Sequence, residues 1–344
     1  MSDEPELRPG PPWAMGEMID AEPGLVEPVL AAPGLDELAP LVGAGQPVVL
    51  TGCGTSEHAA MAGAAMLREA GVAAVARDAF EARLDPQEGG VLIAVSHEAG
   101  TAATLAAVAA ASARGARCTL ITARPGEAPA GLTTIATPLR DTSWCHTVGY
   151  LSPLLALYGL AARVAGSTPA PGPVLKAVGA VVERRRVLAE RAGALLGCVR
   201  LLVVASGADE ITGRELALKI EEGVHLPVTP LGLEKVLHGH LPAADERTGL
   251  VVLRLDPRGA AERDARAANV LAAARELRMP SALIGADQLP VAGKLPPVAG
   301  ALLTGALAAQ LLTLELVHAA GTNPDLIRRE QPAYRAAAQA GEAG

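Results

Sequence analysis

Apolar residues in this chain fall into short unbroken runs, each closed by a small or polar turn and followed by a longer stretch of helical character. Residues 47–71, PVVLTGCGTSEHAAMAGAAMLREAG, give a strand, a glycine-rich turn and a helix. Residues 91–115, VLIAVSHEAGTAATLAAVAAASARG, repeat that order, and RCTLITA at 117–123 adds a further strand. The second half does the same with RLLVVASGADEITGRELALKIEE, then LVVLRLDPRGAAERDARAANVLAAARELR, then SALIGA. Runs without polar alternation mark strands covered on both faces, as in a parallel sheet. Alternation of such strands with helices predicts two successive α/β units made of right-handed βαβ crossovers.

The two units meet at STPAPGPV, residues 167–174, whose prolines and glycine stop one helix and make a linker. A helix over about 175–196 leads into the second unit. The division is an N-terminal arm at 1–32 with a helical segment, a first unit at 33–166, a second at 175–325, and a tail at 326–344 that turns polar. A length of 344 residues suits two domains.

Half the residues are hydrophobic and 19% are charged, so both units can bury real cores. Aromatics make up 2%, which leaves Ala, Leu and Val to fill them. With 29 Lys and Arg against 37 Asp and Glu, the net charge is −8, and no basic run supports nucleic-acid binding. Cys53, Cys118, Cys145 and Cys198 are far apart, which argues against a metal site or disulfide framework and for a reducing cytoplasm. The acidic, proline-rich start is unlike a secretory signal. The long apolar segment 299–320 carries Gly, Thr, Gln and Glu315, and reads as a buried helix with no membrane partner expected.

Three places could carry chemistry. In GCGTS, Gly52 and Gly54 permit a tight turn, and Thr55 and Ser56 open a helix whose free N–H groups could hold an anion or hydroxyl; a plain helix cap explains the same residues. In SHEAGT, Ser96 and Thr101 again place hydroxyls at a strand-to-helix turn, with His97 and Glu98 between them. The bland alternative leaves Glu98 solvated and His97 capping a helix. In GRELALKIEEG, Glu215, Lys219 and Glu222 share one helix face. Such a face is usually a solvated ladder, but this helix leaves a strand end at the expected cleft. His238 and His240 follow in VLHGH, and a carboxylate base with a nearby histidine suits proton shuttling on a sugar.

In this order the motifs resemble the sugar isomerase (SIS) family, in particular the isomerase half of the glucosamine-6-phosphate synthases, over residues 13–334. GCGTS resembles the first sugar-binding turn, SHEAGT the phosphate loop SQSGET, and ELALKIEE the family's EGALKLKE. LHGH places His238 sixteen residues after Glu222 (238 − 222), as in the family's KHGP, and GTNPDLIRR is similar to its closing GTDVDQPRN. The resemblance implies two tandem Rossmann-like three-layer α/β/α units with mainly parallel sheets. By position it implies Glu222 as the proton-moving carboxylate, Lys219 beside it, and His238 as a ring-opening histidine supplied by the second copy of a homodimer. Gly54, Thr55, Ser56, Ser96 and Thr101 match sugar-phosphate contacts, and His97, Glu98 and His146 lie at the same places. No metal or other cofactor is implied. The synthases' glutaminase part has no counterpart, so glutamine-dependent transfer within the chain is not expected.

Three departures qualify this. Glu98 stands where the family has a small hydroxyl residue, and a carboxylate there should repel a phosphate dianion. Pro332 stands where the synthases have an imine-forming lysine, and WCHTV with Trp144 and His146 replaces VASTK. The expected activity is aldose–ketose isomerisation of a phosphosugar or amino sugar, or a related loss or exchange of an amine. The alternative is a catalytically silent sugar-binding sensor, or a partner subunit needing a separate amine donor.

Overall fold

The computed structural model describes residues 4–290 and 294–342. The outermost residues of the expected arm and tail lie outside that range. The chain opens with α1 (Ala14–Ala21), α2 (Val26–Leu30) and α3 (Gly34–Val42). The first α/β unit follows as β1 (Val48–Gly52), α4 (Thr55–Glu69), β2 (Ala74–Asp78), α5 (Ala79–Leu84), β3 (Val91–Val95), α6 (Ala102–Ala113), β4 (Arg117–Thr122), β5 (Thr133–Ala136) and α7 (Val148–Val164). After α8 (Pro171–Glu183) and α9 (Arg185–Gly193) come β6 (Arg200–Ala205), α10 (Asp209–Gly223), β7 (Val228–Gly232), α11 (Leu233–Lys235), β8 (Thr248–Arg254), α12 (Ala260–Glu276), β9 (Ser281–Gly285), α13 (Pro297–Ala320) and α14 (Pro332–Glu342).

Both sheets are parallel, with strand orders β2-β1-β3-β4-β5 and β7-β6-β8-β9. Each reverses its order beside its first strand, which opens a crevice at the carboxyl ends of β1 and β3 and another at those of β6 and β8. The glycine-rich turn at 52–56 and the SHEAGT turn both end at the first crevice.

The apolar runs explain the central strands: β1, β3 and β8 are buried at every position. Strands β2, β5 and β7, which the pattern analysis passes over, are the edge or near-edge strands AVARD, TTIA and VTPLG. They are covered less and need no continuous apolar run.

One hydrophobic cluster runs through both units, joining Leu50 and Ile93 to Val203, Val251 and Leu302. Its spine is α7 with α13, whose most apolar window is 94% buried, as expected for a core helix. Scarce aromatics make close approach necessary. A Cβ on Gly63 would sit 2.6 Å from Leu157, and one on Gly305 would sit 2.6 Å from the Thr212 hydroxyl. Between the units, the expected helix at 175–196 instead starts at Pro171 and breaks at Arg184. Proline fits the first turn of a helix because its missing N–H has no partner there, so the PGP sequence begins a helix where it suggested a linker.

The arm and the tail are fastened to each other by Asp325. Its buried carboxylate accepts the Ala14 and Met15 N–H groups, each at 2.9 Å, and so caps α1 from more than 300 residues away. Its carbonyl accepts the Trp144 N–H at 2.9 Å. Replacing a buried cap of this kind costs about 1–3 kcal/mol. Asp325→Ala should therefore shift the urea midpoint downward by an equivalent amount, and a variant within about 0.5 kcal/mol of the parent would remove this role.

Candidate functional site

The first turn of the site is fixed by two glycines. A Cβ on Gly52 would lie 2.6 Å from the Ser56 backbone, and Gly54 takes φ +56°, ψ −127°, a region that side chains avoid. The turn delivers Thr55 and His58 onto the first turn of α4. Thr55 Oγ1 donates to Glu215 at 3.2 Å, and His58 Nδ1 donates to the other oxygen of Glu215 at 2.7 Å.

From there a chain of charges runs along α10. Lys219, with no exposed surface, holds its ammonium 3.8 Å from Glu215 and 2.5 Å from Glu222. Glu215 is equally buried, whereas the Glu222 side chain is 22% exposed and forms the open end of the chain. Burial alone would lower the Lys219 pKa, but Glu222 and Glu215 outweigh it and hold the ammonium charged. Burial pushes Glu215 upward, but Lys219 and His58 reverse the balance and leave its carboxyl below the ordinary value. Glu222 ends above the ordinary value, because burial exceeds the pull of Lys219. The face shared by Glu215, Lys219 and Glu222 is therefore a largely buried chain of paired charges and not a solvated ladder.

The opposite wall is the turn after β3. Ser96 Oγ donates to Thr101 Oγ1 at 3.2 Å, so these two hydroxyls hold each other, and Ala99 between them has φ +53°. His97 is buried, and its Nε2 accepts the Asp141 N–H at 2.8 Å, which requires a neutral ring carrying its proton on Nδ1. Burial and the neighbouring His146 depress it to about 4. His146 lies with ring centroids 5.3 Å away and tilted by 56°, and burial with Lys219 depresses it to about 4 as well.

Glu98 is neither solvated nor an unpaired charge. Arg124 Nε stands 2.8 Å from one of its oxygens and Arg140 Nε 3.2 Å from the other. The repulsion expected of an isolated carboxylate is thus compensated by two guanidiniums.

The loop from Asp141 to Gly149 closes the site. The buried Asp141 carboxylate accepts the N–H groups of Ser143, Thr147 and Gly149, which folds the loop around it. Burial raises the Asp141 pKa, and those amides oppose the shift. The loop delivers Cys145, whose thiol donates to the Lys219 carbonyl at 3.8 Å, together with His146 and Trp144. Among the described residues, Ser143 Oγ, Thr147 Oγ1 and Tyr150 Oη are buried without a hydrogen bond.

The structure brings together Thr55, Glu215, Lys219 and Glu222 on one wall and Ser96, His97, Glu98, Thr101 and His146 around the other. Gly54 and Ser56 belong to the turn and the helix start. His238 is placed differently: 70% exposed, with its Nε2 2.7 Å from Glu234, at a kink where Gly239 takes φ +102°. Sequence reasoning missed His58, Asp141, Arg124 and Arg140. His58 follows Thr55 by three positions on α4, so its face was readable. The other three depend on pairing across strand ends. Among the described residues no cluster of His, Cys, Asp and Glu could hold a metal ion.

The strand ends of the second sheet are tied together by their own side chains, beside a cavity of about 430 Å³ lined by Ser206, Glu210, Gly232, Glu262 and Arg263. Asp209 accepts the Leu255 and Asp256 N–H groups, while Asp256 accepts the Ala208 N–H and pairs with Arg258 at 2.6 Å and Arg263 at 2.8 Å. The two halves therefore repeat their elements without repeating their chemistry.

A buried neutral histidine gives a pH signature. The folded-state pKa of His97 lies below the ordinary 6.5, so the unfolded chain binds the proton first and stability falls as pH drops from about 6.5 toward 4. The full shift corresponds to about 3 kcal/mol. His97→Gln, which keeps an acceptor for Asp141, should flatten the decline in melting temperature between pH 7 and pH 4.5. An unchanged slope would mean that His97 does not contribute.

Comparison with known proteins bears on the fold and on part of the sequence. Residues 44–161 match the SIS domain. No curated protein matches the sequence. Among solved structures, the C-terminal domain of glucosamine-fructose-6-phosphate aminotransferase from Francisella tularensis superposes with a TM-score of 0.76 at 16% identity, covering 93% of this chain and 99% of that one. Glucosamine-6-phosphate deaminase from Thermotoga maritima gives 0.73 at 18% identity, with 91% and 96% covered. Tagatose-6-phosphate ketose/aldose isomerase from Escherichia coli gives 0.73 at 16% identity, with 92% and 95% covered. At these identities the structures share a fold with this chain, while residues 44–161 share a sequence family. Residues 44–161 are an SIS domain, set in a fold of two parallel sheets.

Proposed function

We propose that this protein is a sugar isomerase, moving a proton between adjacent carbons of a phosphosugar or amino sugar, with Glu222 as the base. The observation that carries this reading is the Glu215–Lys219–Glu222 chain, buried at one end and open at Glu222. In an aldose-to-ketose step, Glu222 takes the proton from C2. The electron pair becomes the C1–C2 double bond of an enediol as the carbonyl oxygen gains a proton, and the carboxylic acid then returns its proton to C1 while the C2 hydroxyl gives up its own. Lys219 opposes the negative charge that develops on the oxygens, and Glu215 keeps Lys219 in place. Burial raises the Glu222 pKa above the ordinary value, which makes its carboxylate a stronger base for such a transfer. Loss or exchange of an amine at C2 would use the same proton path, and one relative in fold is named a deaminase.

The exposed His238 supports a second element of the reading, a cytoplasmic homodimer in which this histidine reaches the site of the other copy to help open the sugar ring. A catalytically silent sugar binder is the competing reading. It is favoured by Pro332, which begins α14 where the synthases' lysine would stand.

Glu222→Gln should lower turnover about 100- to 10,000-fold while leaving sugar binding, followed by thermal shift, largely intact. Lost binding with unchanged residual turnover would make Glu222 a recognition residue. The shared site has its own check: inactive Glu222→Gln and His238→Ala proteins, mixed and allowed to exchange subunits, should recover about a quarter of parental activity from random pairing. No recovery would place both residues in the same copy's site or remove His238 from it.

A further inference from the structure

Glu22 opens the single turn Glu22–Leu25 between α1 and α2, and it has no exposed surface. Among the described residues neither of its carboxyl oxygens has a hydrogen-bond partner. Gln310, from the middle of α13, lies beside it, but the Gln310 Nε2 is directed to the Thr147 carbonyl at 3.1 Å. The turn packs against α1, α2, α7 and α8, and among the described residues Asp141 is the one charged group that acts on Glu22. Asp141 has three backbone N–H donors to hold a negative charge, and Glu22 has none. A carboxylate at Glu22 would be a buried charge with neither donor nor cation, facing a second carboxylate, which a protein core does not tolerate cheaply. A carboxylic acid instead brings an O–H to a neighbourhood where Gln310 Oε1 and Thr147 Oγ1 are buried without a partner. Burial accordingly pushes the Glu22 carboxyl well above the ordinary range, and Asp141 acts in the same direction.

We propose that Glu22 is a neutral carboxylic acid in the folded protein and a proton-dependent positioning residue for the loop from Asp141 to Gly149. It acts through Gln310, whose amide lies beside Glu22 and also holds the Thr147 carbonyl. Thr147 closes the loop onto Asp141, the Asp141 N–H fixes His97, and the same loop carries His146 into the site. Loss of the Glu22 proton sets a second negative charge against Asp141 and loosens that loop. One proton thus ties the N-terminal arm to the wall of the candidate site. The inference concerns the loop and does not depend on the reaction proposed above.

Linkage sets the direction of the pH dependence. The unfolded chain releases the Glu22 proton near the ordinary 4.5 while the folded chain keeps it, so the contribution of Glu22 to stability is greatest below that pH and declines as pH rises toward the folded value. Glu22→Gln keeps the side chain's size and removes the decline. Its melting temperature relative to the parent should rise by about 2 °C for each pH unit between pH 5 and pH 7. Glu22→Met, apolar and similar in length, should show the same rising difference even if its absolute stability is lower. Hydrogen exchange compared at matched pH should find the 141–149 segment less protected in the parent than in Glu22→Gln, with the gap widening from pH 6 to pH 8. The infrared band of a protonated carboxyl group should persist in the folded parent at pH 7 and be weaker in Glu22→Gln. The proposal is overturned by a melting-temperature difference that stays constant or falls with pH, by a parent without that band at pH 7, or by exchange in 141–149 that the variant leaves unchanged.

Discussion

Lys219 is the constraint around which the site is organised. An ammonium with no exposed surface is costly to bury, and it persists because two carboxylates stand within 4 Å of it on the same helix. Glu215 in turn is fully buried and needs its own donors, which come from Thr55 and His58 on the first turn of α4. That turn can reach across only because Gly52 and Gly54 let β1 fold tightly into α4. The backbone of the first unit and the charge of the second are thus mutually dependent, and the single hydrophobic cluster through both sheets has the same consequence for packing. Removing Lys219 alone would leave the buried Glu215 carboxylate without its cation and facing Glu222, so the three charges stand or fall as a set.

Much of this was legible in the sequence because it depends on local pattern. Unbroken apolar runs mark buried parallel strands, and positions 215, 219 and 222 share a helix face whatever surrounds them. What the pattern does not contain is whether that face meets solvent or another helix; that follows from α10 packing on α4 and α13. Edge strands β2, β5 and β7 escaped notice because they lack the burial that makes a strand conspicuous. The PGP segment shows the converse error, in which residues that end one helix also begin the next.

Glu98 shows most clearly where sequence reasoning stops. A carboxylate in a presumed phosphate loop reads as repulsive when taken alone. Its partners lie 26 and 42 positions later (124 − 98 and 140 − 98), and only the strand order β3-β4-β5 places them beside it. The same holds for His97, whose role is set by the Asp141 amide, and for Asp325, which caps the first helix from the far end of the chain. The second sheet offers a useful contrast: its strand ends are held by Asp209, Asp256, Arg258 and Arg263, so an internal repeat of fold does not imply a repeat of the site.

If Glu222 at the open end of the charge chain is the proton carrier, bound sugars should exchange a carbon-bound proton with the base even when net conversion is slow. Proton NMR of a hexose 6-phosphate or amino-sugar 6-phosphate incubated with the protein in deuterium oxide reads this directly. The account predicts loss of the C2 proton signal, or of a C1 proton in a ketose, as deuterium enters, and no such loss with Glu222→Gln. A sugar that binds the parent protein yet keeps every carbon-bound proton, while the protein remains folded, would contradict it and leave the buried charges a binding or structural role.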